Sequence, residues 1–245
     1  MAVESVEVEQ AQSIRGSAGT RAAGFPVLGL LMLDTRFPRP PGDIGHPATF
    51  GAPPLVAVVR GASPRRVVRE RDPALLAPFI AAGRRLVDAG ATAITTSCGF
   101  LVLFQRELQA ALPVPVWTSS LLLLPELGRA GVVTVDAEAL GADHLRAAGA
   151  DAATPVEGLA PGCAFQRTLI DDLPTLDAAD AERQVVAAAE RLLRRAPALD
   201  DIVLECTNMP PYADAVRRVT GRRVHDITTL IARRLEAQVR PGDER

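Results

Sequence analysis

The sequence predicts an α/β fold of two pseudo-symmetric lobes, each a parallel sheet flanked by helices, with the active site between them. Three observations predict it. Strand-like apolar runs alternate with helix-like segments from residue 27 almost to the end of the chain, as parallel sheets covered by helices require. The first run, VLGLLML at 27–33, is apolar without alternation, which suits a strand buried on both faces. Two cysteines, Cys98 and Cys206, stand 108 residues apart in matching surroundings.

Taken in order, residues 1–23 are polar and aperiodic and read as a loose N-terminal tail. The strand at 27–33 ends at Asp34-Thr35-Arg36, and a Pro/Gly-dense stretch follows to residue 54. A connector that long inside a compact domain is often a lid. LVAVV at 55–59 reads as the second strand, 74–88 as a helix, and ATAITT at 91–96 as the third strand, ending at Ser97-Cys98-Gly99. Residues 100–112 are helical by periodicity. VPVW at 114–117 is a strand, and SSLLLLPELGRA opens a helix with a serine cap. GVVTV at 131–135 ends at Asp136; 137–148 reads as helix, 154–176 as irregular, and 178–195 as a long amphipathic helix. DIVLE at 201–205 runs into Cys206-Thr207-Asn208, and a helix, the short strand RRVH and a last helix complete the chain.

Composition narrows the function classes. With 27 Lys+Arg against 29 Asp+Glu and the cations scattered, no one-sided basic field exists to hold nucleic acid. No apolar run reaches the ~18 residues of a membrane span. The N-terminus, MAVESVEVEQAQ, lacks the apolar stretch of a secretory signal. A cytoplasmic protein is expected. Cys98, Cys163 and Cys206 form neither a paired framework nor a zinc pattern, and His46, His144 and His225 are too dispersed for a metal motif. His144 reads as a surface helix residue, and His46 and His225 as structural.

The 108-residue offset carries the functional reading. Applied downstream of Cys98, it sets Val116 on Val224, Thr118 on Asp226 and Leu122 on Leu230. Each cysteine closes an apolar strand and precedes a helix. Ligands of open α/β sheets bind at the carboxyl ends of strands, so two facing lobes would put both thiols in one cleft. A helix N-terminus favours the thiolate. One thiolate could take a proton from a carbon next to a carboxylate while the opposite thiol returns one to the other face. Donors following each cysteine (Gly99, Thr207, Asn208) would stabilise the developing enolate.

TTSCGF and LECTNMPPY resemble the two cysteine motifs of the aspartate/glutamate racemase superfamily, a group that includes hydantoin racemases, maleate isomerases and arylmalonate decarboxylases. MLDTR resembles its Asp-Ser/Thr position. The resemblance spans roughly residues 24–237. It implies Cys98 and Cys206 as catalytic, with Asp34, Thr35, Gly99, Thr207 and Asn208 on the substrate. It implies no cofactor: no PLP, metal or nucleotide. It also implies lobe one at 24–117 plus 226–238, lobe two at 118–225, and a C-terminal tail at 239–245. Gly99-Phe100 stands where glutamate racemases carry Asn-Thr, and Asn208 where they carry His, so the usual amino-acid carboxylate clamp is altered.

The expected activity is therefore that of a cofactor-independent racemase or epimerase moving the α-proton of a small carboxylic acid, an amino acid or related dicarboxylate. Maleate-type cis–trans isomerisation and arylmalonate-type decarboxylation are alternatives, as is a non-catalytic small-acid-binding protein. The expected partner is the small acid alone, with no nucleic acid and no membrane; a homo-oligomer is compatible with the sequence. Arg36, Thr118 and Asp226 read as surface or capping residues, and Cys163, in a Pro-Gly loop, as filler.

Overall fold

The structure, a computed structural model, describes residues 26–239; the expected N-terminal tail lies outside them, as does nearly all of the C-terminal one. Two four-stranded parallel sheets form the frame. The first comprises β1 (Leu28–Leu33), β2 (Leu55–Val59), β3 (Ala93–Thr96) and β4 (Val116–Trp117), in the order β2-β1-β3-β4. The second comprises β5 (Ala130–Thr134), β6 (Val156–Gly158), β7 (Asp201–Leu204) and β8 (Arg223–His225), in the order β6-β5-β7-β8. The repeat read from the cysteines is thus a repeat of topology. It holds in detail: Ser97 N–H donates to the Leu31 carbonyl at 2.9 Å, and Glu205 N–H, 108 residues on, donates to the Val133 carbonyl at 2.8 Å.

Strand identity follows from burial. All six residues of β1 and all four of β7 are buried, as their unbroken apolar character requires for strands covered on both faces. Helix α1 (Leu76–Asp88) buries Phe79, Ala82, Gly83 and Leu86, the helical face spacing, and is led in by a 3-10 turn capped by Asp72. Helix α5 (Ala178–Arg195) is capped by Asp177 and buries Ala181, Val185, Ala188, Ala189 and Leu192. Each buried leucine or valine on these faces contributes about 1.5–3 kcal/mol.

Four local expectations are corrected. Residues 120–126 form a 3-10 helix, because Pro125 has no N–H to give an α-helix; Ser119 is its cap. Residues 100–112 divide into a 3-10 helix (Gly99–Phe104) and a short α2 (Gln105–Ala111). The stretch 137–148 is helical only at α3 (Ala142–Ala147), since Asp136 holds the preceding residues in a turn through the Ala139 and Leu140 amides. The stretch read as irregular contains both β6 and α4 (Ala164–Ile170). β6 is short and follows Pro155, so it lacks a periodic signature and is recruited by pairing with β5.

The larger apolar core is continuous through both lobes, from Leu31 and Leu33 through Phe100 and Leu101 to Val133 and Leu204. A smaller cluster joins β1 and Trp117 to Ile227, Leu230 and Ile231 of α7 (Ile227–Val239). The last helix, which follows a strand of the second sheet, therefore packs on the first. α6 (Ala213–Thr220) ends at Gly221, whose φ of 64° is the left-handed turn that glycine accepts without cost. At the lobe junction, Ser120 Oγ donates to the Leu204 carbonyl at 2.7 Å, and Arg65, Arg69 and Arg71 reach Asp171, Asp136 and Asp143 at 3.0, 3.2 and 2.8 Å. The exposed pairs of Arg65 and Arg71 are each worth ~1 kcal/mol or less, whereas Asp136 is buried. His144 is buried, not on the surface: α3 packs on the 3-10 helix of the first lobe and sets the imidazole edge-on to Phe100 at 5.1 Å. Among the described residues, no helix is long and apolar enough to cross a membrane.

Candidate active site

β3 and β7 each end at their sheet's carboxyl edge, and the next residues but one are Cys98 and Cys206. Both cysteines line one cavity, together with Ser97, Gly99, Glu205, Thr207 and Asn208. Its remaining wall is apolar, including Leu33, Phe37, Val68, Phe100, Val135 and Ile170. The two turns are tied to each other: Thr207 Oγ1 donates to the Ser97 carbonyl at 2.6 Å. Both cysteines carry free thiols. The cavity measures about 30 Å³, room for about two waters and less than a small acid needs, so the walls must move to admit one.

The Pro-rich segment forms part of one wall. Phe37 lines the cavity. Ile44 N–H donates to the Thr207 carbonyl at 3.3 Å, and Asn208 Nδ2 donates to Asp43 Oδ2 at 2.6 Å. Asp43 also receives Arg39 Nη1 at 2.9 Å and Gly45 N–H at 2.8 Å. Two hydrogen bonds thus hold this segment on the turn that carries Cys206, one of them to an aspartate that is itself in a buried ion pair within the segment.

The electrostatics correct one expectation. Backbone amides do favour the thiolates, those of Phe100 and Leu101 at Cys98 and that of Asn208 at Cys206. Burial outweighs them, and the charge that Glu205 would carry adds to it. The Cys98 thiol is pushed up to about 12 and that of Cys206 well above its ordinary value. Removal from water penalises an anion by more than a few amide dipoles return. Cys206 is also followed by a turn and a 3-10 helix (Pro210–Tyr212) before α6 begins, so it has no α-helix immediately after it.

Glu205 is the residue that sequence reasoning passed over. It is fully buried, lines the cavity and accepts from Thr134 Oγ1 at 2.7 Å through Oε2, while Oε1 has no partner. Burial pushes its carboxyl up to about 8. The available signal was a glutamate closing the otherwise apolar core strand DIVLE. Because the folded carboxyl holds its proton to a higher pH than the unfolded one, the unfolded state binds fewer protons between about pH 4.5 and 8. Stability conferred by the protonated form is thus lost as pH rises through that window. Glu205→Gln should flatten that loss: thermal unfolding of wild type and variant should diverge in the variant's favour from pH 5 to 8, then run parallel. A pH-independent difference would contradict the raised carboxyl.

The other residues singled out in the sequence sit elsewhere. Asp34 accepts from Gly61 N–H at 3.0 Å and Thr35 from Arg39 Nη2 at 2.9 Å; neither lines the cavity, so the substrate-orienting role implied for them has no geometric support. Arg36 pairs with Asp172 at 3.2 Å on the surface. Thr118 is buried against Gln105, and Asp226 caps the start of α7 through the Thr228 and Thr229 amides. Cys163 caps α4 outside the cavity. His225 is bonded to buried Asp201 at 2.8 Å. A wider depression of about 650 Å³ lies beside the cavity at the ends of β5 and β6, sharing Ile170 with it. Its Arg69 and Arg191 are paired to Asp136 and Glu157.

The fold has counterparts among solved structures. An arylmalonate decarboxylase superposes with a TM-score of 0.60 at 15% identity, covering 89% of this chain and 94% of that one. Allantoin racemases from Klebsiella pneumoniae (TM-score 0.57, 17% identity, 87% of each chain) and Pseudomonas fluorescens (0.55, 20%, 87% and 91%) superpose likewise. The chain shares its fold with these decarboxylase and racemase structures. No family model matches the chain. Among curated proteins, the chain is similar to dimethylsulfoniopropionate lyases. That of Durusdinium sp. clade D is 29% identical over 214 residues, 81% of this chain and 70% of that protein. Dimethylsulfoniopropionate lyases 7 and 6 of Emiliania huxleyi are 29% and 30% identical over 84% of this chain, which spans 65% and 58% of their lengths. These likenesses support an enzyme. They do not single out an isomerase, since lyase and decarboxylase name other reaction types.

Proposed function

We propose that the chain is an enzyme that removes the α-proton of a small carboxylic acid with a pocket thiol and completes the reaction by β-elimination. The observation that carries the α-proton step is the placement of Cys98 and Cys206, two strand-end thiols of equivalent lobes, on one small cavity. The thiolate takes the α-proton and the carbon–hydrogen pair becomes the new C=C bond. The β-substituent leaves with its own bonding pair. For a β-sulfonio acid the products are the alkenoic acid and a neutral dialkyl sulfide, and the thiol later returns its proton to water. The reaction class is favoured by the lyase names of the sequence relatives. The apolar wall, with Phe37 and Phe100, suits a methylated sulfonium, a soft cation that aromatic faces attract.

Racemisation is the second reading, favoured by the repeat that presents one thiol from each lobe. Incubation in D₂O with dimethylsulfoniopropionate and a panel of chiral amino and hydroxy acids separates the two. Elimination releases dimethyl sulfide and acrylate. Racemisation inverts the acid and leaves deuterium on its α-carbon. Neither product from any acid would remove both readings.

A further inference from the structure

The repeat is broken at one chemically charged place. The residue before Cys98 is Ser97, and the residue before Cys206 is Glu205. Their backbones occupy the same position at the end of their sheets, each donating to the central strand beside it. Ser97 Oγ has a local task, accepting from Leu33 N–H at 2.9 Å. Glu205 has only half of one: Thr134 satisfies Oε2, and Oε1 is buried with no partner. An unsatisfied buried oxygen is destabilising, and it calls for an explanation. Space for the carboxyl is made by the other lobe. A Cβ on Gly99 would overlap Glu205 Oε1 and the Glu205 carbonyl oxygen, so the residue after Cys98 is one without a side chain.

We propose that Glu205 is a third catalytic group of this cavity, a carboxylic acid whose O–H bonds the substrate's carboxylate oxygen as negative charge develops there during α-proton removal. This rests on the proposed α-proton chemistry. The proton stays on Glu205 throughout: the thiolate takes the α-proton, the electron pair delocalises onto the carboxylate, and the acid supplies a hydrogen bond to it. A donor placed where charge appears, inside a dry site, strengthens in the transition state. A carboxylic acid kept neutral by its surroundings can serve as such a donor, and burial of Glu205 favours the neutral form. The titratable groups that feel Glu205 are the two thiols; Arg39 acts in turn on Cys98, and Asp43 on Cys206 and Tyr212. Thr134 from β5 is neutral.

Two variants and two readouts test this. Glu205→Gln keeps a neutral donor and should lower kcat about tenfold, with the alkaline fall of the wild-type rate near pH 8 abolished. Glu205→Leu should lower kcat about a thousandfold with KM changed far less. Equal losses in both folded variants would mean that an ionised carboxylate is needed, and a Leu variant as active as wild type would mean a structural role; either overturns the proposal. If the Leu variant does not fold, the Gln variant's pH profile decides. The second readout needs no substrate: alkylation of Cys98 and Cys206 by iodoacetamide against pH, in a Cys163→Ser background. Removing the carboxylate should move the curve at least one pH unit lower in Glu205→Gln. An unmoved curve overturns Glu205 as an acid–base group of the cavity, even if no acid is turned over and the elimination reading has failed by itself.

Discussion

Replacing Cys98 or Cys206 by serine should each lower turnover by about 10²–10⁴-fold, the range that a positioned acid or base contributes. Serine keeps the size and the hydrogen bonds of cysteine, so the fold should be unaffected. The hydroxyl cannot supply the anion that a thiol supplies, even a thiol pushed up by burial as both are here. The two variants also report on the reaction class. In an elimination, the thiol that takes the α-proton is indispensable and the other has a lesser part, so the two losses should differ by at least tenfold. In a racemisation each variant should lose inversion, yet still exchange the α-proton of one enantiomer, with opposite preference. Cys163→Ser should match wild type, since Cys163 caps α4 away from the cavity. Full activity in both single variants would end thiol catalysis as an account of this site.

How far the sequence disclosed this arrangement depends on what kind of signal each part leaves. β1 and β7 were legible because strands covered on both faces must be apolar throughout, and that leaves an unbroken run. α5 was legible to its ends because Asp177 caps it and five buried positions repeat at helical spacing. β6 and α4 were not, because three residues after a proline and seven residues after a glycine turn carry too few periods to register. The cysteines were legible as a pair through the 108-residue offset, which the shared topology of the two sheets explains. Asp34 and Thr35 were placed by resemblance to a motif, and here their side chains serve the turn after β2 and Arg39 instead. Glu205 stands within the second cysteine motif but has no role assigned by it, and Asp43 belongs to no motif. Their importance comes from burial and from partners 71 and 165 residues away in sequence, which only the folded chain brings together.

Asp43 should prove the most sensitive residue outside the cysteine turns, with Asp43→Ala lowering stability by about 3–5 kcal/mol. That is the usual cost of breaking a buried ion pair from one side. The side chain of Asp43 is 1% exposed and that of Arg39 13%, so the arginine left behind would keep a charge with little water to reach. Three donors lose their acceptor at once: Arg39 Nη1, Gly45 N–H and Asn208 Nδ2. Asp43→Asn keeps the shape and one acceptor oxygen but removes the charge opposite Arg39, so it should lose roughly half as much. The effect should reach the site through Asn208, whose Oδ1 lies 3.5 Å from the Cys206 sulfur. Without Asp43 that amide keeps only its contact with the Cys206 sulfur, and the Cys206 turn loses one of its two hydrogen bonds to the Pro-rich segment, the other being Ile44 N–H to the Thr207 carbonyl. Urea denaturation would give the stability loss, and amide exchange at Ile44 and Gly45 should quicken more than exchange in β1. A variant that unfolds at the wild-type urea midpoint, with both amides as protected as before, would show that the segment is held by its apolar contacts at Phe37 and Ile44 and that the buried ion pair contributes nothing net.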